Sequence, residues 1–90
     1  MSDLDIRYAR RAVRRAARQL AEDAPKLRAG SAGAFRAGVA VRAADLRRAV
    51  LAAWVTGIPA DVVAADGRLP VAVVQGWVAA RFSPEGPGGG

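Results

Sequence analysis

Six arginines near the start of the chain are the side chains best suited to bind a ligand. They are Arg7, Arg10, Arg11, Arg14, Arg15 and Arg18, and no acidic residue occurs between positions 6 and 21. Those at positions 7, 11, 14 and 18 recur at three- and four-residue steps, which would align them as one stripe on a helix. Guanidinium groups suit phosphate oxygens, so the stripe favours contacts with a nucleic-acid backbone. The alternative is the solvated outer face of a helix that dimerises.

Side chains for catalysis or metal binding are scarce. The chain contains no Cys and no His, which excludes thiolate nucleophiles, Cys/His zinc sites and the usual general base. None of its few hydroxyl groups has a basic partner for catalysis at helical spacing. The segment GSAGAFRAG lacks the Lys-Ser/Thr of a phosphate-binding loop. The sequence therefore predicts no enzymatic activity, no cofactor and no metal.

The composition describes a small basic chain. It has 90 residues with 14 Lys/Arg and 8 Asp/Glu, a formal net charge of +6. Residues 1–48 hold 12 cations against 5 acids, whereas residues 49–90 hold 2 against 3. Such a surface attracts nucleic acid or anionic membrane, although the strong preference for Arg over Lys is also what a GC-rich genome produces. A chain this short buries only about 60% of its unfolded surface, so oligomerisation is expected.

The absence of Cys favours an intracellular, cytoplasmic protein, and hydropathy favours a soluble one. No apolar run approaches the roughly 20 residues of a membrane span. Aspartates and arginines occupy the place of a signal-peptide core near the start. We therefore expect a soluble, unprocessed chain with no membrane partner.

The first 24 residues are predicted to form an amphipathic helix. Ser2 and Asp5 fit a capping box at its start. Its apolar seam consists of Ile6, Ala9, Val13, Ala16, Leu20 and, after a break, Leu27. Asp23 could cap a short new turn that contains Pro25 and stops at Gly30. Residues 25–34 are therefore predicted to be a hinge.

Residues 35–56 carry the strongest periodic pattern. The repeating apolar residues are Phe35, Val39, Ala43, Leu46, Val50 and Trp54. Ser31 could cap this helix, but glycines at 33 and 38 weaken its first turns, so we predict a start nearer Val39. The GIP sequence at 57–59 supplies a left-handed glycine, an apolar contact and a proline, which together end a helix.

The apolar stretch 59–82 permits two interpretations. Its two prolines can each open a short helix, the first closed by Gly67 and the second ending before Ser83. Alternatively, strands 60–65 and 68–74 could pair across the Asp-Gly turn between them. The proline inside the second strand would remove a hydrogen-bond donor, which favours the helices.

Residues 46–82 resemble the helix-turn-helix DNA-binding domains of small actinobacterial and phage proteins. The matching residues are AVLAAWVTGIP for the support helix and its turn, Ala64 at the helix crossing, Leu69 in the turn, and Val74 and Trp77 at buried positions. The resemblance implies an all-α unit whose last helix meets DNA. The chain departs from the family in the turn, where Leu69 and Pro70 replace the usual Ser or Thr.

The helix that would meet DNA carries little that can read a base. With Val74, Trp77 and Val78 inward, its outward residues are Val71, Ala72, Gln75, Gly76 and Ala79. Gln75 can pair with a base edge, and Arg68 and Arg81 can contact phosphates. This small apolar face is equally suited to packing on another protein.

Aromatic side chains divide into core and contact candidates. Trp54 and Trp77 fall on apolar faces and are predicted to be core residues. Tyr8 lies among the arginines and is the aromatic side chain best placed to contact nucleic acid.

Two functions follow from these patterns. The first is an all-α, homodimeric DNA-binding protein, a transcriptional regulator or a phage or nucleoid accessory factor, with the arginine stripe on phosphates. The second is a non-enzymatic interaction module that docks on a protein partner. The predicted organisation is an Arg-rich helix at 1–24, a hinge at 25–34, a helix-turn-helix-like unit at 35–82 and a disordered tail at 83–90.

Overall fold

Four α-helices make up most of the described chain. The computed structural model describes residues 3–28 and 31–82, and side chains at 3–25 and 31–82. The helices are α1 (Asp3–Arg28), α2 (Ala32–Val55), α3 (Ala60–Gly67) and α4 (Val71–Phe82). No strand occurs in these ranges, so the all-α prediction is confirmed and the hairpin alternative is wrong. Ser2, Gly30, the side chain of Leu27 and the tail 83–90 lie outside the described residues.

The first helix includes part of the predicted hinge. Pro25 lies inside α1, which continues to Arg28, although a proline cannot donate the hydrogen bond that the helix requires there. Asp23 does not cap a new turn, because it lies inside the continuous helix, and its carboxylate pairs with Arg42 of α2 at 2.8 Å. This ion pair and the packing of α1 on α2 hold the segment in helical conformation.

The second helix begins earlier than predicted. Ser31 adopts the extended conformation of an N-cap, with φ −68° and ψ 156°, and its hydroxyl accepts a hydrogen bond from the Ala34 N–H at 3.1 Å. The capping prediction is confirmed, whereas the predicted start near Val39 is wrong, and residues 32–34 of the predicted hinge are helical. The cap and the many turns that follow outweigh the roughly 1 kcal/mol that each early glycine costs.

The end of α2 follows the prediction. Gly57 has φ 104°, and its N–H donates to the Trp54 carbonyl at 2.9 Å. The N–H of Ile58 donates to the Ala53 carbonyl at 3.3 Å. These two bonds are the pattern that ends a helix at a left-handed glycine. Ile58 is buried, so the chain that follows α2 packs against the core at this residue.

The core lies where α1, α2 and α3 meet and extends beneath α4. Its buried residues are Val13, Ala16, Ala17, Leu46, Val50, Ala53, Ile58, Val63, Ala64 and Val74. The burial of Ala64 and Val74 agrees with the positions predicted for them, and Leu69 and Trp77 pack against the core as half-buried residues. None of the described helices is long and apolar enough to cross a membrane.

The predicted seam of α2 is wrong at its C-terminal end. Ala53 is buried, whereas Trp54 is 36% exposed and stacks on Phe82 with ring centroids 5.3 Å apart. Helices that touch through Val and Ala lie too close to admit an indole ring between them. Trp54 therefore lies at the edge of the core.

The end of α3 differs from the prediction. Arg68, with φ 57° and ψ 43°, takes the left-handed conformation, and Gly67 is the last helical residue. A Cβ at Gly67 would lie 3.2 Å from Leu69 Cδ1 and 3.4 Å from Val13 Cγ1. Gly67 therefore allows α3 to approach α1 closely and does not supply the left-handed turn.

Candidate phosphate-binding groove

Five arginines line one open groove between α1 and the end of α3. The groove has a volume of about 490 Å³. Its lining residues are Arg11, Arg14, Arg15, Arg18, Ala65, Asp66 and Arg68. We call this the arginine groove. It combines four cations of one helix with a fifth that is distant in sequence.

The packing of α1 positions the first four arginines. Val13, Ala16 and Ala17 are buried against the other helices, so the residues that alternate with them at 14, 15 and 18 are exposed. The close contact at Gly67 then places the end of α3 beside this exposed face. The groove therefore forms because helical periodicity exposes the arginines of α1 and Gly67 lets α3 pack beside them.

Arg68 enters the groove from a strained backbone position. A side chain in the left-handed region costs about 1 kcal/mol, and glycine is the residue that avoids this cost. Strain of this kind concentrates at functional sites. The left-handed turn at Arg68 ends α3 and leaves this residue lining the arginine groove.

Asp66 is the acidic residue of the arginine groove. Its side chain is 8% exposed and accepts hydrogen bonds from Arg10 Nε at 2.8 Å, Arg10 Nη2 at 3.3 Å and Arg14 Nη1 at 3.4 Å. Burial raises the pKa of Asp66, but the hydrogen bond and charge of Arg10, with those of Arg14, outweigh it and bring the pKa below its usual value. The same hydrogen bond raises the pKa of Arg10. Asp66 is therefore ionised at neutral pH and joins α3 to α1.

Replacing Asp66 by asparagine tests this junction. We expect Asp66→Asn to lower the free energy of unfolding at pH 7 by about 1–2 kcal/mol, a modest loss because both arginines stay partly hydrated. The folded pKa lies below the unfolded value of about 3.9, so the contribution is complete above that value and is lost as the pH falls through the folded pKa.

Urea denaturation at several pH values from neutral to acidic measures the gap in the free energy of unfolding between wild type and Asp66→Asn. The gap should be constant at neutral pH and close in acid. The control is Asp61→Asn, which removes an exposed carboxylate from the same helix and should show a smaller gap. A gap for Asp66→Asn that widens in acid would contradict the assignment.

Four of the groove arginines have no carboxylate partner in the described part of the chain. The ion pairs there join Arg10 and Arg14 to Asp66, and Arg42 and Arg48 to Asp23 or Asp45. None involves Arg11, Arg15, Arg18 or Arg68. Adjacent unpaired cations repel each other, and an anion that bridges them relieves the repulsion. The described ranges contain no group of three side chains able to hold a metal ion.

The structure brings together part of the predicted site. Arg11, Arg14, Arg15 and Arg18 share the groove, whereas Arg7 is exposed outside it. Arg10 lies on the same helix but binds Asp66 through two of its nitrogens. No local pattern predicts the partnership of Arg10 with Asp66, because the two residues are 56 positions apart in the chain.

The remaining predicted residues lie on α4, away from the groove. Among the described elements, α4 packs on α2 and α3 and not on α1. Gln75 and Arg81 are exposed there, and the Arg81 guanidinium lies 6.0 Å from the centroid of the Phe82 ring. The five outward positions expected on α4 are all exposed. Gln75 and Arg81 therefore do not line the arginine groove.

No family model, no curated protein and no solved structure matches this chain. The geometry of its own residues is therefore the basis for assigning a function.

Proposed function

We propose that this protein is a non-enzymatic DNA-binding protein that holds the phosphate backbone in the arginine groove. The observation that carries the proposal is the convergence of five arginines from two distant segments on one open groove. Each guanidinium can donate two parallel hydrogen bonds to a phosphate. Contacts of this kind give salt-dependent affinity with little sequence preference.

In this proposal the segment that resembles a helix-turn-helix domain serves mainly as a structural scaffold. Residues 46–82 supply a support helix, a short helix, a three-residue turn and a last helix, the element order of that family. In the family the last helix enters the major groove of DNA. Here the last helix offers Gln75 as its outward base-reading side chain, and the groove arginines lie on α1 and at position 68. The role that fits is an accessory or regulatory factor with weak sequence preference.

Salt titration of a labelled duplex tests the proposal. Four unpaired arginines predict that the logarithm of the binding constant falls with a slope of about −3.6 against the logarithm of salt, so affinity drops roughly 150-fold between 50 and 200 mM. Absence of binding at the lower salt concentration, or binding that does not respond to salt, would overturn the proposal.

Arg68→Gly is the variant to compare in the same titration. We expect affinity roughly eightfold weaker at 100 mM salt and a slope shallower by about 0.9. The free energy of unfolding should stay the same or rise by up to about 1 kcal/mol, because glycine adopts a positive φ without strain. A variant that is destabilised yet binds like wild type would contradict the role of Arg68.

A protein-contact module is the second candidate, and an exposed apolar surface favours it. Trp54 and Phe82 stack on each other yet remain exposed, and Val55 beside Trp54 in the chain is exposed as well. Grouped exposed aromatic side chains are typical of surfaces that pack on another protein. A second copy of this chain is the partner that the sequence predicted. Sedimentation velocity over a wide concentration range tests it, and a monomer throughout would exclude the homodimer.

A further inference from the structure

Tyr8 is a large exposed aromatic side chain beside the arginine groove. It lies one helical turn before Arg11 on α1 and is 75% exposed. On one side of Tyr8 is a recess of about 100 Å³ lined by Tyr8, Arg11, Ala12 and Arg15. On the other side is a recess of about 300 Å³ between α1 and α2. Tyr8 therefore stands at the border of two different surfaces.

The two recesses differ in chemistry. Arg11 and Arg15 line both the small recess and the arginine groove, so the small recess continues the cationic surface. The larger recess is lined chiefly by alanines of both helices: Ala9, Ala12, Ala49 and Ala52. Asp5 and Thr56 add polar groups at its border. A flat apolar group therefore fits the larger recess, and an anion fits the small one.

A nucleotide has two parts that match these two recesses. Its phosphate is anionic, and its base is flat, with an apolar face and polar edges. Asp5 lines the larger recess, and its negative charge repels phosphate, which sets the base on the alanine side and the phosphate on the arginine side. Bases in a duplex are already stacked and paired, so an unpaired base is the one that can reach Tyr8.

We propose that Tyr8 stacks on an unpaired nucleobase while Arg11 and Arg15 bind the adjacent phosphate, so that the arginine groove prefers single-stranded to double-stranded nucleic acid. This inference rests on the proposed function, since the backbone contacts are those of the arginine groove. Arg11, Arg15 and Arg18 are spaced about 6 and 4.5 Å along the helix axis, so one strand can follow them in register. The aromatic ring adds a stacking contact with an unpaired base, which the arginines cannot supply and which a duplex cannot make.

Binding of a labelled single strand and of a duplex of equal length tests this preference. For wild type we expect tighter binding of the single strand. Tyr8→Leu should weaken single-strand binding roughly tenfold, the loss typical of one stacked base, and leave duplex binding within about twofold. Tyr8→Phe keeps the ring and should bind like wild type. The control is Leu4→Ala, which truncates another exposed apolar side chain of α1 and should alter neither affinity.

The outcomes separate this inference from the proposed function. If Tyr8→Leu lost affinity equally for both ligands, or lost none, the stacking role would be overturned. Salt-dependent binding of the duplex would still support the arginine groove in that case. Failure of wild type to bind either ligand would overturn both. If Tyr8→Leu changes the sedimentation coefficient and not the preference for single strands, Tyr8 contacts a second copy of the chain and the stacking role is wrong.

Discussion

Replacing Arg15 and Arg18 together by alanine is expected to weaken duplex binding roughly 60-fold at 100 mM salt. Each arginine that contacts a phosphate contributes about 0.9 to the salt slope, so the slope should become shallower by about 1.8. Both side chains are exposed, and neither has an ion-pair partner in the described chain. The free energy of unfolding should therefore change by less than about 0.5 kcal/mol. Fluorescence anisotropy at several salt concentrations measures the binding.

The matched control is the double substitution Arg36→Ala and Arg47→Ala. These arginines are exposed on α2 and do not line the arginine groove, and their loss lowers the net charge by the same amount. We expect the control to weaken binding only a few-fold through the general field of the protein. Equal losses for the two pairs would show that total charge governs binding and would contradict a defined groove.

Leu46→Ala is expected to have the largest effect on stability, a loss of about 3 kcal/mol. Leu46 is 2% exposed, and its Cδ1 would lie 3.6 Å from a Cβ at Gly67. It therefore fills the point where α2 meets α3, near Val13 of α1. Most of the buried residues around it are Val and Ala, whose short side chains cannot extend to fill the cavity. Such a loss is a large fraction of the stability of a domain this small.

Thermal and urea denaturation followed by circular dichroism measure this effect. The midpoint temperature should fall by roughly 12–24 °C, since 1 kcal/mol corresponds to about 4–8 °C in a domain of this size. Val41→Ala on the same helix is the control, because Val41 is 59% exposed, and it should cost less than about 0.5 kcal/mol. A loss below about 1 kcal/mol for Leu46→Ala would contradict the central position of Leu46.

Local signals in the sequence predict the helices well. The cap at Ser31 and the left-handed Gly57 depend on hydrogen bonds within a few residues, and both are found as expected. The bounds predicted for the hinge are too wide because they depend on tertiary contacts. Pro25 argues for a break, but the ion pair of Asp23 with Arg42 and the packing of α1 on α2 keep the helix intact.

The candidate site is predictable only in part, for the same physical reason. Helical periodicity alone aligns the arginines of α1. The entry of Arg68 into the groove requires α3 to cross α1 closely, which depends on the space that Gly67 leaves for Val13 and Leu69. The bond between Arg10 and Asp66 follows from that crossing, and no local pattern in the sequence signals it.

The most direct test of the central claim is to locate nucleic acid on the surface by NMR. Spectra of ¹⁵N-labelled wild-type protein, recorded while duplex is added at low salt, report the backbone amides and the arginine Nε–H groups. We expect the largest shift changes at residues 11–18 and 65–68, which carry the arginine groove. Changes centred on residues 71–81 with α1 unaffected would contradict the claim and place DNA on α4.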